Sequence, residues 1–199
     1  AFLDAQVGKV MDALEKSGKR DKTIVIFTSD HGFHLGEHDF WAKVSLRDES
    51  AKVPLIISVP GKKPAVCNSF VELLDLYPTL SNICGLPKQG RLQGKDISKM
   101  LDEPKHQIRE EAFSVAPMRT GFLLRSKQWA FIQYGENLPH KLNGGFEHGR
   151  NGIELFEMGQ DPHQFSNLAD TLKYQPVVES FRKKLKNKLI AIRKNDLIN

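Results

Sequence analysis

The 199-residue chain is 40% hydrophobic and 27% charged, ordinary values for a globular protein, and holds no apolar window long enough for a membrane helix. That length buries a real core and suits one domain, or one domain with a small appendage. The net charge of +5 does not argue for nucleic acid. Much of the excess lies in Arg182, Lys183, Lys184, Lys186, Lys188, Arg193 and Lys194 on one predicted terminal helix. A solvated helix face accounts for it, and anionic substrates remain compatible with a basic protein.

Phe2, Leu3, Val7, Val10, Met11 and Leu14 recur at helical spacing, so residues 2–16 read as an amphipathic helix stopped at Gly18. A chain that starts directly in such a helix, without a Met or a basic-then-apolar leader, looks cut from something longer. Ile24, Val25, Ile26 and Phe27 then form an apolar run that stops at Thr28-Ser29. It reads as a buried strand of the kind found in parallel sheets. The loop that follows it holds three of the seven histidines, three carboxylates and a lysine: Asp30, His31, His34, Glu37, His38, Asp39 and Lys43. Open α/β sheets place ligands at such strand tips. Adjacent Asp30 and His31 offer a carboxylate oxygen and an imidazole nitrogen to a divalent cation, with the remaining ligands to come from elsewhere. His34, together with His140 and His148, is read as an ordinary surface or loop histidine, and Trp41 as packing.

Val53 to Val59 reads as a second apolar strand ended by Pro60-Gly61. Ser69 to Leu73 is a candidate short strand. Asp75 is placed as the N-cap of a helix running through Cys84, with Leu76, Leu80 and Ile83 on its buried face and Gly85 and Pro87 as the stop. Cys67 and Cys84 sit in apolar surroundings and read as small core residues, too few for a disulfide framework or a zinc site. Asp96 to Leu101 is expected to make a helical turn or two.

From Glu111 the period changes to two. Candidate strands are Ala112–Val115, Thr120–Arg125, Trp129–Tyr134 and Ile153–Glu157, which succession by short turns makes a small antiparallel sheet. Asn137 to Gly152 is a Gly- and Asn-rich loop. Val177, Val178, Phe181, Leu185, Leu189 and Ile192 mark a terminal amphipathic helix whose apolar face must pack on that sheet.

The segment SDHGFHLGEHDFWAK resembles the second metal-and-sulfate motif of the sulfatases, in the alkaline phosphatase superfamily. Its flavour is that of the iduronate-2-sulfatase-like branch, with the pattern D-H-G-x-x-L-G-E-H-x-x-W-x-K. AFLDAQVGKVMDAL, VPLIISVPG, VELLDLYPTLSNICGLP and ELFEMGQDPHQFSNLAD resemble the same family in the same order. The resemblance implies an α/β fold: the C-terminal part of an alkaline-phosphatase-like sandwich over residues 1–110, then a small α+β subdomain over 111–199.

It also implies a sulfuric ester hydrolase. Asp30 and His31 match metal-ligating positions for calcium, ahead of magnesium. Lys43 matches the lysine on the substrate sulfate. His38 falls at a matched position as a substrate or acid contact. Arg119 is a weaker candidate for a substrate-facing cation, against an ordinary strand-flanking residue. The C/S-x-P-x-R motif that yields the formylglycine nucleophile is not in this chain, so the resemblance implies a fragment inactive alone, whose partner is the N-terminal half of the same enzyme. Sulfated sugars or glycosaminoglycans are the implied substrates, and export or lysosomal delivery the implied location. A sheet face left without its other half would favour homo-oligomer formation. A phosphatase or phosphodiesterase of the same superfamily and a non-catalytic sulfated-glycan-binding module stand as alternatives.

Overall fold

The computed structural model describes residues 1–116, 121–134 and 152–193. Helix α1, Phe2–Lys16, precedes strand β1, Val25–Thr28. The site loop and the short α2, Asp48–Ala51, lead to β2, Leu55–Ser58. Helix α3, Leu76–Ile83, follows. Strands β3 (Glu111–Val115), β4 (Gly121–Ser126), β5 (Trp129–Tyr134) and β6 (Ile153–Glu157) come next, and α4, Gln175–Arg193, closes the described chain. The turns after α1 and α3 fall at Gly18 and Gly85, both with φ +67°, where a side chain would be strained.

The four-stranded sheet runs β3-β4-β5-β6, antiparallel throughout, as the period-two pattern predicts. Strict alternation sorts its side chains onto two faces. Leu124, Phe131, Ile153 and Leu155 face α4 and meet Val178, Phe181 and Leu185. The Phe131 and Phe181 rings stack with centroids 5.5 Å apart. On the opposite face Leu123, Ala130, Ile132 and Phe156 pack with Leu46, which comes from the segment just after the site loop. The sheet therefore lies between α4 and the site segment. Each fully buried large side chain here contributes roughly 1.5–3 kcal/mol by burial.

Several sequence expectations are corrected. Strands β1 and β2 pair antiparallel, with Val25 opposite Ser58 and Thr28 opposite Leu55. A short apolar run pairs in either direction, so its composition does not choose between them. Nor are these strands fully buried: Phe27 and Ile56, partners across the ladder, are exposed. Ser69 to Leu73 forms no strand; a 3-10 turn spans Leu73–Asp75 instead. The fully buried positions of α3 are Thr79 and Ser81, whereas Leu76, Leu80 and Ile83 are half-covered. The reason is a polar contact: Thr79 Oγ1 accepts the Ile97 N–H at 3.0 Å and donates to the Asp75 carbonyl. Cys67 and Cys84 are exposed rather than core residues. Arg119, His140 and His148 lie outside the described residues. Among the described residues, no helix is long and apolar enough to cross a membrane.

Asp75 does more than begin α3. Its buried carboxylate accepts both Arg109 Nη1 and Nη2, the latter at 2.8 Å, and the backbone N–H groups of Glu72 and Lys95 at 2.8 Å each. Breaking a buried pair leaves an uncompensated charge, which costs about 3–5 kcal/mol. Arg109→Met is expected to lower stability in urea denaturation by that order, and adding Asp75→Asn to recover part of the loss.

Candidate functional site

The loop from Ser29 to Lys43 is built from close backbone contacts. Gly32 N–H donates to the Ser50 carbonyl at 2.9 Å, which brings the chain onto α2. A Cβ on Gly32 would lie 1.9 Å from the Glu49 carbonyl oxygen, so only glycine permits this approach. His34 N–H donates to Ala42 O at 2.9 Å, closing the loop on itself. At its tip His38 and Asp39 take left-handed backbone angles, φ 59° and 53°, at a cost of about 1–2 kcal/mol each.

Asp30, His31 and Lys43 line one open cleft that runs along β2 and β3. Exposed Lys52, Lys63 and Lys127 line it too, so the wall is basic. The Asp30 side chain is 85% exposed and that of His31 37%. His31 Nδ1 lies 2.8 Å from its neighbour's carbonyl, Gly32 O. A carbonyl only accepts, so Nδ1 carries a proton. The ring Nε2 is 3.5 Å from Asp30 Oδ2. Desolvation would raise the Asp30 carboxyl, but the His31 ring, the backbone N–H groups of His31 and Asp30 and the Lys43 ammonium outweigh it and hold it below the ordinary carboxylate value. Among the described residues, no group of three or more His, Cys, Asp or Glu forms a complete metal site. Asp30 and His31 are donor types that suit one side of such a site, since a carboxylate and an imidazole line the same cleft.

His38 is not among the described residues lining that cleft. Its side chain is 6% exposed and turns inward, 3.8 Å from Glu49 Oε1 and with its ring centroid 4.7 Å from that of Phe165. His34, read from sequence as a surface histidine, is fully buried, with Nε2 2.8 Å from Ser45 Oγ. Its neighbours explain the correction: Phe40 and His38 meet its ring edge-on at 5.2 and 5.8 Å.

A buried polar clamp lies under the loop, and sequence reasoning missed it. Arg47 donates through Nη1 to the Gln164 carbonyl and through Nη2 to Glu154 Oε1 at 3.4 Å, with its guanidinium 4.7 Å from the centre of the Phe156 ring. Asp48 N–H donates to Gln164 Oε1 at 2.7 Å, and the Asp48 carboxylate accepts Arg125 Nε and Nη2 at 3.0 Å each. The available signal was Glu154, a lone carboxylate within Ile153-Glu154-Leu155-Phe156, which demands a buried cation.

These are the features of a family. The family model described as Sulfatase matches residues 1–86, which include Asp30, His31 and Lys43. Arylsulfatase K of Bos taurus is 32% identical over 202 residues, a match covering 94% of this chain and 34% of that protein. The chain belongs to the sulfatase family. The structure of BT1596, a 2-O GAG sulfatase, superposes with a TM-score of 0.80 at 25% identity, covering 97% of this chain and 42% of that one. The phosphonate monoester hydrolase SpPMH from Silicibacter pomeroyi shares the fold, with a TM-score of 0.79 at 22% identity over 94% of this chain and 38% of its own. The expected alkaline-phosphatase-like architecture therefore holds for this sulfatase-family chain. It spans about a third of the length of the curated relatives it matches. Those relatives carry the name arylsulfatase K; the iduronate-2-sulfatase flavour rests on the loop motif alone.

The buried imidazoles set a pH dependence. Burial holds both His34 and His38 below the ordinary value of 6.5, with Arg47 adding to the effect at His38 and Glu49 opposing it at both. In the unfolded chain these rings take protons near 6.5 while the folded rings stay neutral. Their contribution to stability is therefore complete above that pH and declines as pH falls below it, toward the folded values. The melting temperature is expected to fall between about pH 7 and 5, and to fall less steeply in His34→Gln. A flat profile with no difference between the proteins would contradict this.

Proposed function

We propose that this chain supplies the cation-facing and leaving-group side of a sulfate ester hydrolase, acting on sulfated sugars or glycosaminoglycans. One observation carries the reading: Asp30, His31 and Lys43 share a basic cleft at the tip of β1, within a sulfatase-family sequence. Lys43 places a flexible ammonium against a sulfate oxygen and within reach of the departing oxygen. Asp30 and His31 would hold a divalent cation, calcium ahead of magnesium, as their donor types fit. When bound, such an ion supplies stabilisation of charge on the non-bridging oxygens. The exposed lysines around the cleft suit a polyanionic substrate better than a neutral one. His38, turned under the loop beside Glu49, carries no substrate role in this reading.

Sulfur must be attacked by a nucleophile, and the formylglycine motif is absent from this sequence. We place it in a part of the protein outside the 199 residues, so the chain alone should not turn over.

The full-length protein is expected to hydrolyse an aryl sulfate, with Lys43→Ala lowering kcat/KM roughly 10²–10³-fold, the scale of losing one oriented charge contact. The isolated chain is expected to give no turnover. Wild-type rates in Lys43→Ala, or enzyme-like turnover by the isolated chain, would overturn the proposal. Competition by phosphate stronger than by sulfate would favour the phosphoryl-transfer alternative.

A further inference from the structure

The most telling unassigned group is His34. A fully buried imidazole is costly unless its polar atoms are used, and a leucine would fill the same space more cheaply. Its hydrogen bonds show where the polarity goes. The backbone N–H holds Ala42 O at 2.9 Å, one residue before Lys43. The ring Nε2 lies 2.8 Å from Ser45 Oγ, two residues after Lys43. Ser45 Oγ also accepts the Arg47 N–H at 3.0 Å, so its own O–H is available to donate to Nε2. Ser45 N–H in turn donates to the Lys43 carbonyl at 3.1 Å. The backbone of the exposed Lys43 is thus gripped on both sides by one buried residue. Through Ser45 and Arg47 that grip continues to Glu154 on β6 and to Gln164 in the segment after it.

We propose that His34 is a positioning residue for Lys43: its backbone and ring bracket residues 42–45 and fix where the ammonium enters the cleft. The purpose assigned to this grip rests on the reading of Lys43 as the sulfate contact. The grip itself follows from the hydrogen bonds alone. Groups that hold a site residue in place commonly cost 10- to 100-fold when removed, without touching substrate.

The test uses the full-length protein with His34→Ala, His34→Gln, Ser45→Ala, Lys43→Ala and the double variant H34A/K43A. Two readouts are taken, kcat/KM on an aryl sulfate and hydrogen exchange at the Ser45 and Arg47 amides. His34→Ala is expected to lower kcat/KM roughly 10- to 100-fold and to speed exchange at both amides. His34→Gln, whose amide oxygen can accept the Ser45 hydroxyl, should restore most of both, and Ser45→Ala should resemble His34→Ala if the alanine at 34 does not fold. In the Lys43→Ala background, adding H34A should change kcat/KM by no more than about twofold, because both act through one group. A merely structural role would lower K43A as much as wild type, and that result overturns the proposal. So does unchanged exchange in His34→Ala. Wild-type turnover in Lys43→Ala would instead overturn the substrate-contact reading, and faster exchange in His34→Ala alongside it would show that the grip is real while its assigned purpose is wrong.

Discussion

The buried guanidinium of Arg47 joins the site segment to the antiparallel sheet. It bridges Glu154 on β6 and the Gln164 carbonyl, while Asp48 beside it pairs with Arg125 on β4 and with the Gln164 amide. Two adjacent residues thus anchor to three separate parts of the sheet region. Such a clamp does not have to stabilise the protein relative to an apolar core of the same shape. It does make the geometry specific, because any displacement strands a charge away from water. The positions of Gly32, His34 and Lys43 follow, since all three hang on residues 42–50, which the clamp holds.

This arrangement explains the division of labour across the chain. The sheet buries its apolar residues on both faces and α4 covers one of them. The other face could have been covered by any apolar segment. Here it is covered by the stretch that leaves the site loop, with Leu46 as the apolar plug and Arg47 as the polar one. Precision at the cleft is therefore supplied from a sheet that contributes few residues to the chemistry. The exposed partners Asp30 and Lys43 need that support, because long or solvated side chains define a position only as well as their backbone is held.

Much of this was legible in the sequence where the signal is local. The period-two runs placed β5 and β6 at their observed ends, and the helical spacing placed α1 at 2–16. The polar loop after β1 was visible as a loop, and Asp30, His31 and Lys43 from it line one cleft. What escaped depends on long-range partners. The direction of β2 against β1 is not written in either strand, since an apolar run suits either direction. Thr79 is buried because Ile97 N–H needs an acceptor, which hydrophobic spacing within α3 does not reveal. His34 reads as a loop histidine until Phe40 and Ser45 close over it. Cys67 and Cys84 lie among apolar residues in the chain yet face solvent in the fold.

The sheet holds the site loop through Arg47. Hydrogen exchange at the Gly32 and His34 amides in the double variant Arg47→Met/Glu154→Gln, which leaves no buried carboxylate without its cation, reads this, with the Leu124 and Phe131 amides as an internal control. The two loop amides are expected to lose protection by roughly tenfold or more while the sheet amides change little. Loop amides that stay as protected as in the unmutated protein would contradict it, and would mean that the loop holds its shape without the clamp.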